Sequence, residues 1–311
     1  HLVCGHTQAH EDLEAALAEF TERPRALLFS SGSAANMGIR NGLLTRGDQL
    51  FQARLKYASL LDGGKLCGAR QQRYAHRDTV DLAARLTRCD APEQRKLVVT
   101  DGTFSMDGTE CDIPATAAIA AEHDAWLRGD EAPRLGVSGP AARGLTTAVP
   151  AATPVQVLIG TLGKAVGTHG GFVAGSEELI ELLIQSARTY IYSTALPAAV
   201  AVATLRSLEI AHNEDWRRKR LAELVAQFRA GAAQLGLELT TSTTPIQPLL
   251  LGSERSALQM SAALEDRGIL ITAIRPPTVP AGTSRLRITL TAPHTAADLK
   301  HLLTALQEAG I

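Results

Sequence analysis

Residues 155–167 read VQVLIGTLGKAVG, a short apolar run that ends in a lysine between glycines. Residues 155–159 are predicted to form a strand, and Lys164 follows in a glycine-rich turn. Glycines let the backbone approach a flat ligand closely and leave the lysine ε-amine uncovered. A lysine held in this way can form a Schiff base with a carbonyl, and the commonest cofactor for that chemistry is pyridoxal 5′-phosphate (PLP). A surface lysine in an ordinary turn explains this motif equally well.

Short apolar runs alternate with amphipathic segments on both sides of this stretch. Strands are predicted at residues 26–30, 97–100, 155–159 and 172–174, and helices at residues 11–20, 79–86 and 113–122. Strands that are apolar throughout are typical of sheets buried on both faces. The alternation therefore predicts an α/β fold with a mostly parallel central sheet and helices on both faces.

The pattern changes after Pro197, where two long helical stretches cover residues 198–210 and 215–235. A smaller α+β unit is predicted after them, with strands at residues 247–251, 269–274 and 285–290 and helices at 257–267 and 296–308. We therefore predict two domains: a large PLP-binding domain over residues 1–212 and a small C-terminal α+β domain over residues 213–311.

Composition excludes several classes of protein. The chain has 311 residues, a formal net charge of −1 and 45% hydrophobic residues, so it carries no basic footprint for nucleic acid or an anionic membrane. No apolar run approaches the roughly 20 residues that span a membrane. The cysteines are scattered without metal-ligand spacing, at positions 4, 67, 89 and 111. These features predict a cytoplasmic enzyme with no metal site.

Residues 28–36, LFSSGSAAN, are predicted to form the end of a strand, a tight turn and the start of a helix. The free N–H groups and the dipole of a helix N-terminus form a phosphate site, which Gly32 allows a ligand to approach and to which Ser33 could add a hydroxyl. Serine-rich N-caps are common, so the motif matters only if a phosphate cofactor is implied elsewhere. Lys164 implies one.

Three further polar segments are candidate ligand contacts. Asp130 comes after WLRG and could pair with a pyridinium nitrogen, although a solvated Asp–Glu turn also fits. Residues 100–108, TDGTFSMDG, form either a ligand-binding loop or a plain turn. Arg275 precedes two prolines that fix the backbone, and it is either a carboxylate-binding residue or a buried structural arginine.

In their order along the chain, these segments resemble the PLP-dependent α-oxoamine synthases of fold type I, and within them the branch that makes 8-amino-7-oxononanoate for biotin. The resemblance covers nearly the whole chain and is carried by HLVCGH (1–6), SSG (30–32), ASLLDG (58–63), FSMDG (104–108) and TLGK (161–164). The run from residue 272 to 291, with RPPTVPAGTSRLR at its centre, is the most specific.

The resemblance implies an acyltransferase that condenses L-alanine with a pimeloyl thioester, carried by CoA or a carrier protein, and releases CO₂. Lys164 would be the Schiff-base lysine and the base that takes the α-proton, and Asp130 would hold the pyridinium nitrogen. The other implied cofactor contacts are Gly32, Ser33, Tyr57, Ser105, Pro133, Thr161, Ser193 and Thr194. Of these, Ser193 and Thr194 would reach the phosphate across a homodimer interface. Tyr57, Arg275 and Thr278 would contact the substrate.

Several positions differ from the family's pattern. Tyr57 stands where the family has a histidine, and its ring could still stack on the cofactor. Pro133 and Arg134 stand where the family has His-Gly, and Ser33 replaces an aromatic residue. The resemblance also implies an N-terminal segment that this sequence does not contain. These differences motivate an alternative, a homologue that keeps the fold and the dimer interface but binds PLP weakly or not at all.

A sibling α-oxoamine synthase that uses another amino acid and another acyl-CoA is a third interpretation. Residues 272–291 argue against it, because that run matches the biotin branch.

Overall fold

The computed structural model describes residues 1–53, 68–89, 93–146, 149 and 154–310. The chain divides into two compact units: the first contains His1–Thr103 and Cys111–Asn213, and the second contains Phe104–Glu110 and Glu214–Ile311. The sequence prediction assigns residues 104–110 to the large domain, whereas the structure groups them with the second unit.

Hydrogen bonds within the second unit explain this grouping. The Thr240 hydroxyl donates to the Asp107 carbonyl at 2.9 Å, and Arg287 Nε donates to the Ser105 carbonyl at 2.6 Å. Arg285 Nη1 donates to the Met106 carbonyl at 3.3 Å. The segment is therefore held by side chains that come more than a hundred residues later in the sequence, which local patterns do not predict.

The first unit is an α/β structure. Its helices are α1 (Gln8–Phe20), α2 (Gly32–Leu43), α3 (Thr79–Arg88), α4 (Ile113–Glu122), α5 (Glu177–Ser186), α6 (Arg188–Ile191) and α7 (Ala198–Asn213). Its strands are β1 (Arg25–Phe29), β2 (Gln49–Ala53), β3 (Arg70–Tyr74), β4 (Lys96–Asp101), β5 (Trp126–Asp130), β6 (Val157–Thr161) and β7 (Gly171–Gly175).

These strands form a seven-stranded sheet in the order β1-β7-β6-β5-β4-β2-β3. Strand β7 runs antiparallel to both of its neighbours, and the other described pairs are parallel. The mostly parallel sheet of the sequence prediction is confirmed.

Alternate residues of the strands pack into two hydrophobic cores, one on each face of the sheet. Leu27, Val157 and Ile159 belong to one core, together with Ile39 of α2. Leu28 and Leu158 belong to the other. Both faces are therefore buried, which is why these strands are apolar throughout and were recognisable in the sequence. Predicted and observed bounds of β1, β4, β6 and β7 differ by no more than two residues.

Strands β2 and β3 were missed by the sequence analysis because both are rich in polar residues. Gln52 of β2 is fully buried and donates through Nε2 to Gln71 Oε1 of β3 at 2.8 Å. Buried glutamines that bond to each other in this way do not show the apolar pattern by which buried strands are recognised.

Side-chain caps start four of the described helices of the first unit. In each, the N-cap side-chain oxygen accepts a hydrogen bond from the backbone N–H three residues later, which satisfies one of the donors that the first turn of a helix leaves free. The capping residues are Ser31, Asp78, Asp112 and Ser176.

The second unit has its own hydrophobic core around Leu224, Phe228, Leu249 and Leu286. Its elements are α8 (Asp215–Gln234), β8 (Ile246–Gly252), α9 (Glu254–Glu265), β9 (Ala273–Ile274), β10 (Ser284–Thr289) and α10 (Ala296–Glu308). The strands form an antiparallel sheet in the order β8-β10-β9. The strand predicted at residues 269–274 is reduced to β9, because only Ala273 and Ile274 pair with β10.

Within the described part of the chain, no helix combines the length and the apolar character that crossing a membrane requires. The described cysteines, Cys4, Cys89 and Cys111, are free thiols. No group of three or more His, Cys, Asp or Glu side chains among the described residues could hold a metal ion.

Candidate active site

Several predicted site residues of the first unit lie at one edge of its sheet. Strands β5 and β6 are parallel neighbours, and they end there at Asp130 and Thr161. The antiparallel strand β7 begins at the same edge with Gly171, which pairs with Thr161. Lys164 lies in the turn between β6 and β7. The topology therefore brings the predicted lysine and carboxylate to the edge where α/β sheets bind ligands.

The turn that carries Lys164 is closed by its own backbone and by helix α7. The Thr168 N–H donates to the Leu162 carbonyl at 2.9 Å. From α7, the Thr204 hydroxyl lies 2.8 Å from Thr168 Oγ1, and the Ser207 hydroxyl donates to the Val166 carbonyl at 2.5 Å. Lys164 itself is exposed. The helix thus secures the turn at residues 166 and 168, on the C-terminal side of the lysine.

Thr204 and Ser207 are not among the site residues predicted from the sequence. Thr204 is completely buried in α7, and a hydroxyl residue at a buried position of an apolar helix is the signal that could have found it.

Helix α2 begins directly against the end of β6. A Cβ atom added to Gly32 would come within 2.5 Å of Thr161 Cγ2, and one added to Gly171 would come within 2.6 Å of the Gly32 nitrogen. Ser31 caps the helix by accepting from the Ala34 N–H at 3.1 Å. Gly32 is therefore needed for close packing, and the N-terminus of α2 lies at the same edge as Thr161. Ser33 is exposed in the first turn of this helix.

Asp130 is buried, with both carboxylate oxygens engaged. Oδ1 accepts from the Ala132 N–H at 3.0 Å, and Oδ2 accepts from Arg128 Nη2 at 2.5 Å. The interpretation of this segment as a solvated Asp–Glu turn is wrong, since Glu131 is also fully buried.

Glu131 is held by the backbone of residues 145 and 146. Its Oε1 accepts from the Leu145 N–H at 3.0 Å and from the Thr146 N–H at 2.8 Å. Burial raises the pKa of the Glu131 carboxyl, and these two hydrogen bonds and nearby Arg134 only partly oppose the rise.

The residues that replace the family's His-Gly follow Glu131. Pro133 is half-buried, and Arg134 is buried. Arg134 donates through Nε to Ser138 Oγ at 2.8 Å and through Nη1 to Thr103 Oγ1 at 3.3 Å. The guanidinium therefore has hydroxyl partners within the first unit.

Ser193 and Thr194 follow α6, where Ser193 is half-buried and Thr194 is exposed. A groove of about 820 Å³ opens beside them, between α2 and α6. Its lining includes Ser30, Met37, Asn41, Arg188, Tyr192 and Ser193.

The second unit contains three of the predicted contacts. Ser105 is buried, whereas Arg275 and Thr278 are exposed at the start of the loop after β9. The Thr278 N–H donates to the Arg275 carbonyl at 3.0 Å. The interpretation of Arg275 as a buried structural arginine is therefore wrong. Tyr57 lies outside the described residues.

The donor set at the sheet edge of the first unit fits PLP. Lys164 would supply an amine for the aldehyde, Asp130 a buried carboxylate for the ring nitrogen, and the α2 N-terminus backbone donors for the phosphate. Thr161 Oγ1 is buried there and has no hydrogen-bond partner among the described residues, which leaves a hydroxyl for a ligand.

Comparison with known proteins decides the family. The model of the aminotransferase class I and II family matches residues 2–306. An 8-amino-7-oxononanoate synthase of Nitrosococcus oceani is 57% identical over 307 residues, which cover 98% of this chain and 81% of that relative. One from Ectopseudomonas mendocina is 56% identical over 309 residues, 99% of this chain and 79% of that relative. The chain belongs to the 8-amino-7-oxononanoate synthase family.

Solved structures agree with this membership. A serine palmitoyltransferase variant from S. paucimobilis, with PLP and myriocin bound, has a TM-score of 0.95 at 32% identity, over 99% of this chain and 78% of that one. An 8-amino-7-oxononanoate synthase from Francisella tularensis has a TM-score of 0.85 at 29% identity, over 98% of this chain and 88% of that one. The predicted fold, a fold type I PLP-dependent transferase, is confirmed, as is the predicted relation to the 8-amino-7-oxononanoate synthase family.

Proposed function

We propose that the protein is a PLP-dependent C-acyltransferase that condenses L-alanine with a pimeloyl thioester, with loss of CO₂, to give 8-amino-7-oxononanoate for biotin biosynthesis. One observation carries this proposal: relatives of that name match almost the whole chain at 54–57% identity. The lysine, the carboxylate and the helix N-terminus at one sheet edge supply the chemistry that such a reaction needs.

The net reaction forms one carbon–carbon bond and breaks two bonds, the thioester C–S bond and the bond from alanine Cα to its carboxylate. Alanine Cα loses its proton and joins the carbonyl carbon of the thioester, and the carrier leaves as the protonated thiol. The alanine carboxylate departs as CO₂, and a proton returns to Cα. Bound PLP supplies the electron-withdrawing ring that makes the Cα proton acidic. Lys164 Nζ is the group proposed to attach the cofactor and then to take that proton.

The other roles stay predictions drawn from the family resemblance. In the first unit, Asp130 is proposed to hold the ring nitrogen, and Gly32, Ser33, Pro133 and Thr161 to line the cofactor site. Ser193 and Thr194 are proposed to contact the phosphate bound to a second copy of the chain. In the second unit, Ser105 is a proposed cofactor contact, and Arg275 and Thr278 are proposed substrate contacts. Tyr57 is proposed to contact both the cofactor and the substrate. We further propose a homodimer, a cytoplasmic location, and CoA or a carrier protein as the thiol.

The sibling-synthase alternative is less well supported. The serine palmitoyltransferase match is 32% identical, against 57% for the Nitrosococcus synthase. The alternative of a homologue that binds PLP weakly rests on Pro133, Arg134, Tyr57 and Ser33. It makes PLP binding the first property to measure.

The first test is a titration of the purified protein with PLP, followed by visible absorption. Lys164→Ala should abolish a lysine-dependent absorption band and all product formation, because no other amine would attach the cofactor. Lys164→Arg keeps the positive charge but cannot form the same covalent bond, so it serves as the matched control and should also lack the band. A parent protein without this band at saturating PLP would contradict the proposal.

The second test is a substrate panel with mass-spectrometric detection of the product. Alanine, glycine and serine are each paired with pimeloyl-CoA and with palmitoyl-CoA. The proposal expects turnover with alanine and pimeloyl-CoA to exceed that of every other pair. Preference for serine and palmitoyl-CoA would instead favour the sibling synthase.

A further inference from the structure

Arg128 of β5 is a buried arginine that the proposed reaction does not use. The residue is 1% exposed. Its Nη2 donates both to Asp130 Oδ2 at 2.5 Å and to Asn36 Oδ1 of α2. Asn36 is itself 6% exposed. The guanidinium thus lies in the interior, against the carboxylate that is proposed to hold the cofactor's ring nitrogen.

The remaining donors of Arg128 are poorly satisfied. Nε and Nη1 are buried and have no hydrogen-bond partner among the described residues. A guanidinium that serves as a structural anchor normally uses its planar set of donors in several bonds. Arg128 bonds through a single nitrogen, so its main contribution to this site is positive charge next to Asp130.

Asp130 is therefore already paired with a cation, the Arg128 guanidinium. In a buried site, charges interact far more strongly than in water. A protonated ring nitrogen that approaches Asp130 is attracted by the carboxylate but repelled by Arg128. If Arg128 lost its charge, Asp130 would be buried without a counter-ion, and a cationic ligand would relieve that cost on binding.

We propose that Arg128 is an internal counter-cation for Asp130 that competes with the protonated ring nitrogen of PLP and thereby weakens cofactor binding. Arg128 is on this account a positioning residue, since it acts on the cofactor through Asp130. The inference rests on the proposed function, in which Asp130 holds the ring nitrogen.

The test compares the parent with Arg128→Met and Arg128→Lys. For each protein, the thermal midpoint is measured without PLP and with saturating PLP, and the PLP dissociation constant is taken from the lysine-dependent absorption band. Arg128→Met should lower the midpoint of the PLP-free protein, because Asp130 loses its partner. Saturating PLP should raise the thermal midpoint of Arg128→Met by more than it raises the parent's. The PLP dissociation constant of Arg128→Met should be about tenfold lower than that of the parent.

Two controls separate charge from structure. Arg128→Lys keeps a cation near Asp130 and should keep the parental dissociation constant. Arg23→Met removes a different, half-buried arginine of the first unit, which donates to the Thr146 carbonyl. It should not tighten PLP binding. If Arg128→Met does not fold, Arg128→Gln provides the same comparison, because it keeps a donor for Asp130 and removes the charge.

The outcomes distinguish this inference from the proposed function. A parent without a Lys164-dependent band overturns the proposed function and the role of Arg128 with it. A parent with the band, but with unchanged or weaker PLP binding in the neutral variants, overturns the role of Arg128 alone. Tighter binding in a neutral variant and parental binding in Arg128→Lys would support it, since the loss of a merely structural residue does not improve affinity.

Discussion

Two consecutive carboxyl groups at the end of β5 have different surroundings. Asp130 is paired with a guanidinium, whereas Glu131 accepts two backbone N–H groups through Oε1. Glu131 Oε2 is buried and has no partner among the described residues. Burial raises the pKa of the Glu131 carboxyl above its ordinary value of 4.5, and the two hydrogen bonds to Oε1 only partly oppose the rise.

The raised pKa of Glu131 predicts how the stability of the protein depends on pH. A carboxyl whose pKa is raised on folding holds its proton more tightly in the folded state. Its contribution to stability is therefore fully present below about pH 4.5 and is lost as the pH rises through the folded pKa. Glu131→Gln keeps an oxygen that can accept from Leu145 and Thr146 but cannot ionise. Between pH 4.5 and neutrality, its free energy of unfolding should rise relative to the parent's by about 1.4 kcal/mol for each unit of pKa shift. Its thermal midpoint should rise relative to the parent's over the same range.

Differential scanning fluorimetry across pH 4 to 8 measures this change. Glu19→Gln, at an exposed position of α1, is the matched control and should give midpoints that run parallel to the parent's. A constant difference between Glu131→Gln and the parent at every pH would show that the buried carboxyl does not titrate in this range.

The packing of α2 against β6 determines the shape of the proposed phosphate site. Gly32 begins the helix, Thr161 ends the strand, and no side chain fits between them. Because the helix N-terminus and the strand end belong to rigid elements, a displacement of one changes the distance from the backbone donors of α2 to the lysine turn.

Gly32→Ala should therefore weaken PLP binding. The new Cβ would lie 2.5 Å from Thr161 Cγ2, so the helix or the strand end must shift, at a cost of about 1–3 kcal/mol. Thr161→Ser removes Cγ2 and keeps the hydroxyl. The double variant Gly32→Ala/Thr161→Ser should consequently recover most of the lost affinity, as measured by titration of the absorption band. Equal losses in the single and double variants would mean that the clash with Thr161 is not the cause.

The two units have separate cores, and the residues proposed to bind the cofactor phosphate from a second chain all belong to the first unit. Ser193 and Thr194 lie beside the groove between α2 and α6. In the proposed homodimer, each active site combines Lys164 of one chain with Ser193 and Thr194 of the other. One chain alone would then hold an incomplete site.

Mixing of two defective chains tests this arrangement. Light scattering should first give about twice the 33.0 kDa mass of one chain. A Lys164→Ala chain and a chain with Ser193→Ala and Thr194→Val should each lack the band at low PLP concentration. Mixed dimers have one site in which the lysine and both hydroxyls are intact, so mixing should restore the band. Mixed dimers without any recovery would place all of these residues in one chain's site.

Much of this architecture could be predicted from local sequence. The strands β1, β4, β6 and β7 are buried on both faces, so they are apolar throughout and were recognisable without a structure. Lys164 was found for a similar reason, because its glycine-rich turn follows such a strand. The family could also be identified from short motifs and from residues 272–291, and the comparisons confirm it.

Contacts between distant residues could not be predicted in this way. Arg128 and Asn36 are 92 positions apart, and Ser207 and Val166 are 41 apart. Whether a polar side chain is solvated or buried against a partner depends on which elements the sheet order brings together. The sequence alone indicates a solvated turn at Asp130 and Glu131. Both residues are buried, because β5 lies between β4 and β6 in the interior of the sheet. Local patterns specify the elements of this protein, and packing between elements specifies the charge environment of its site.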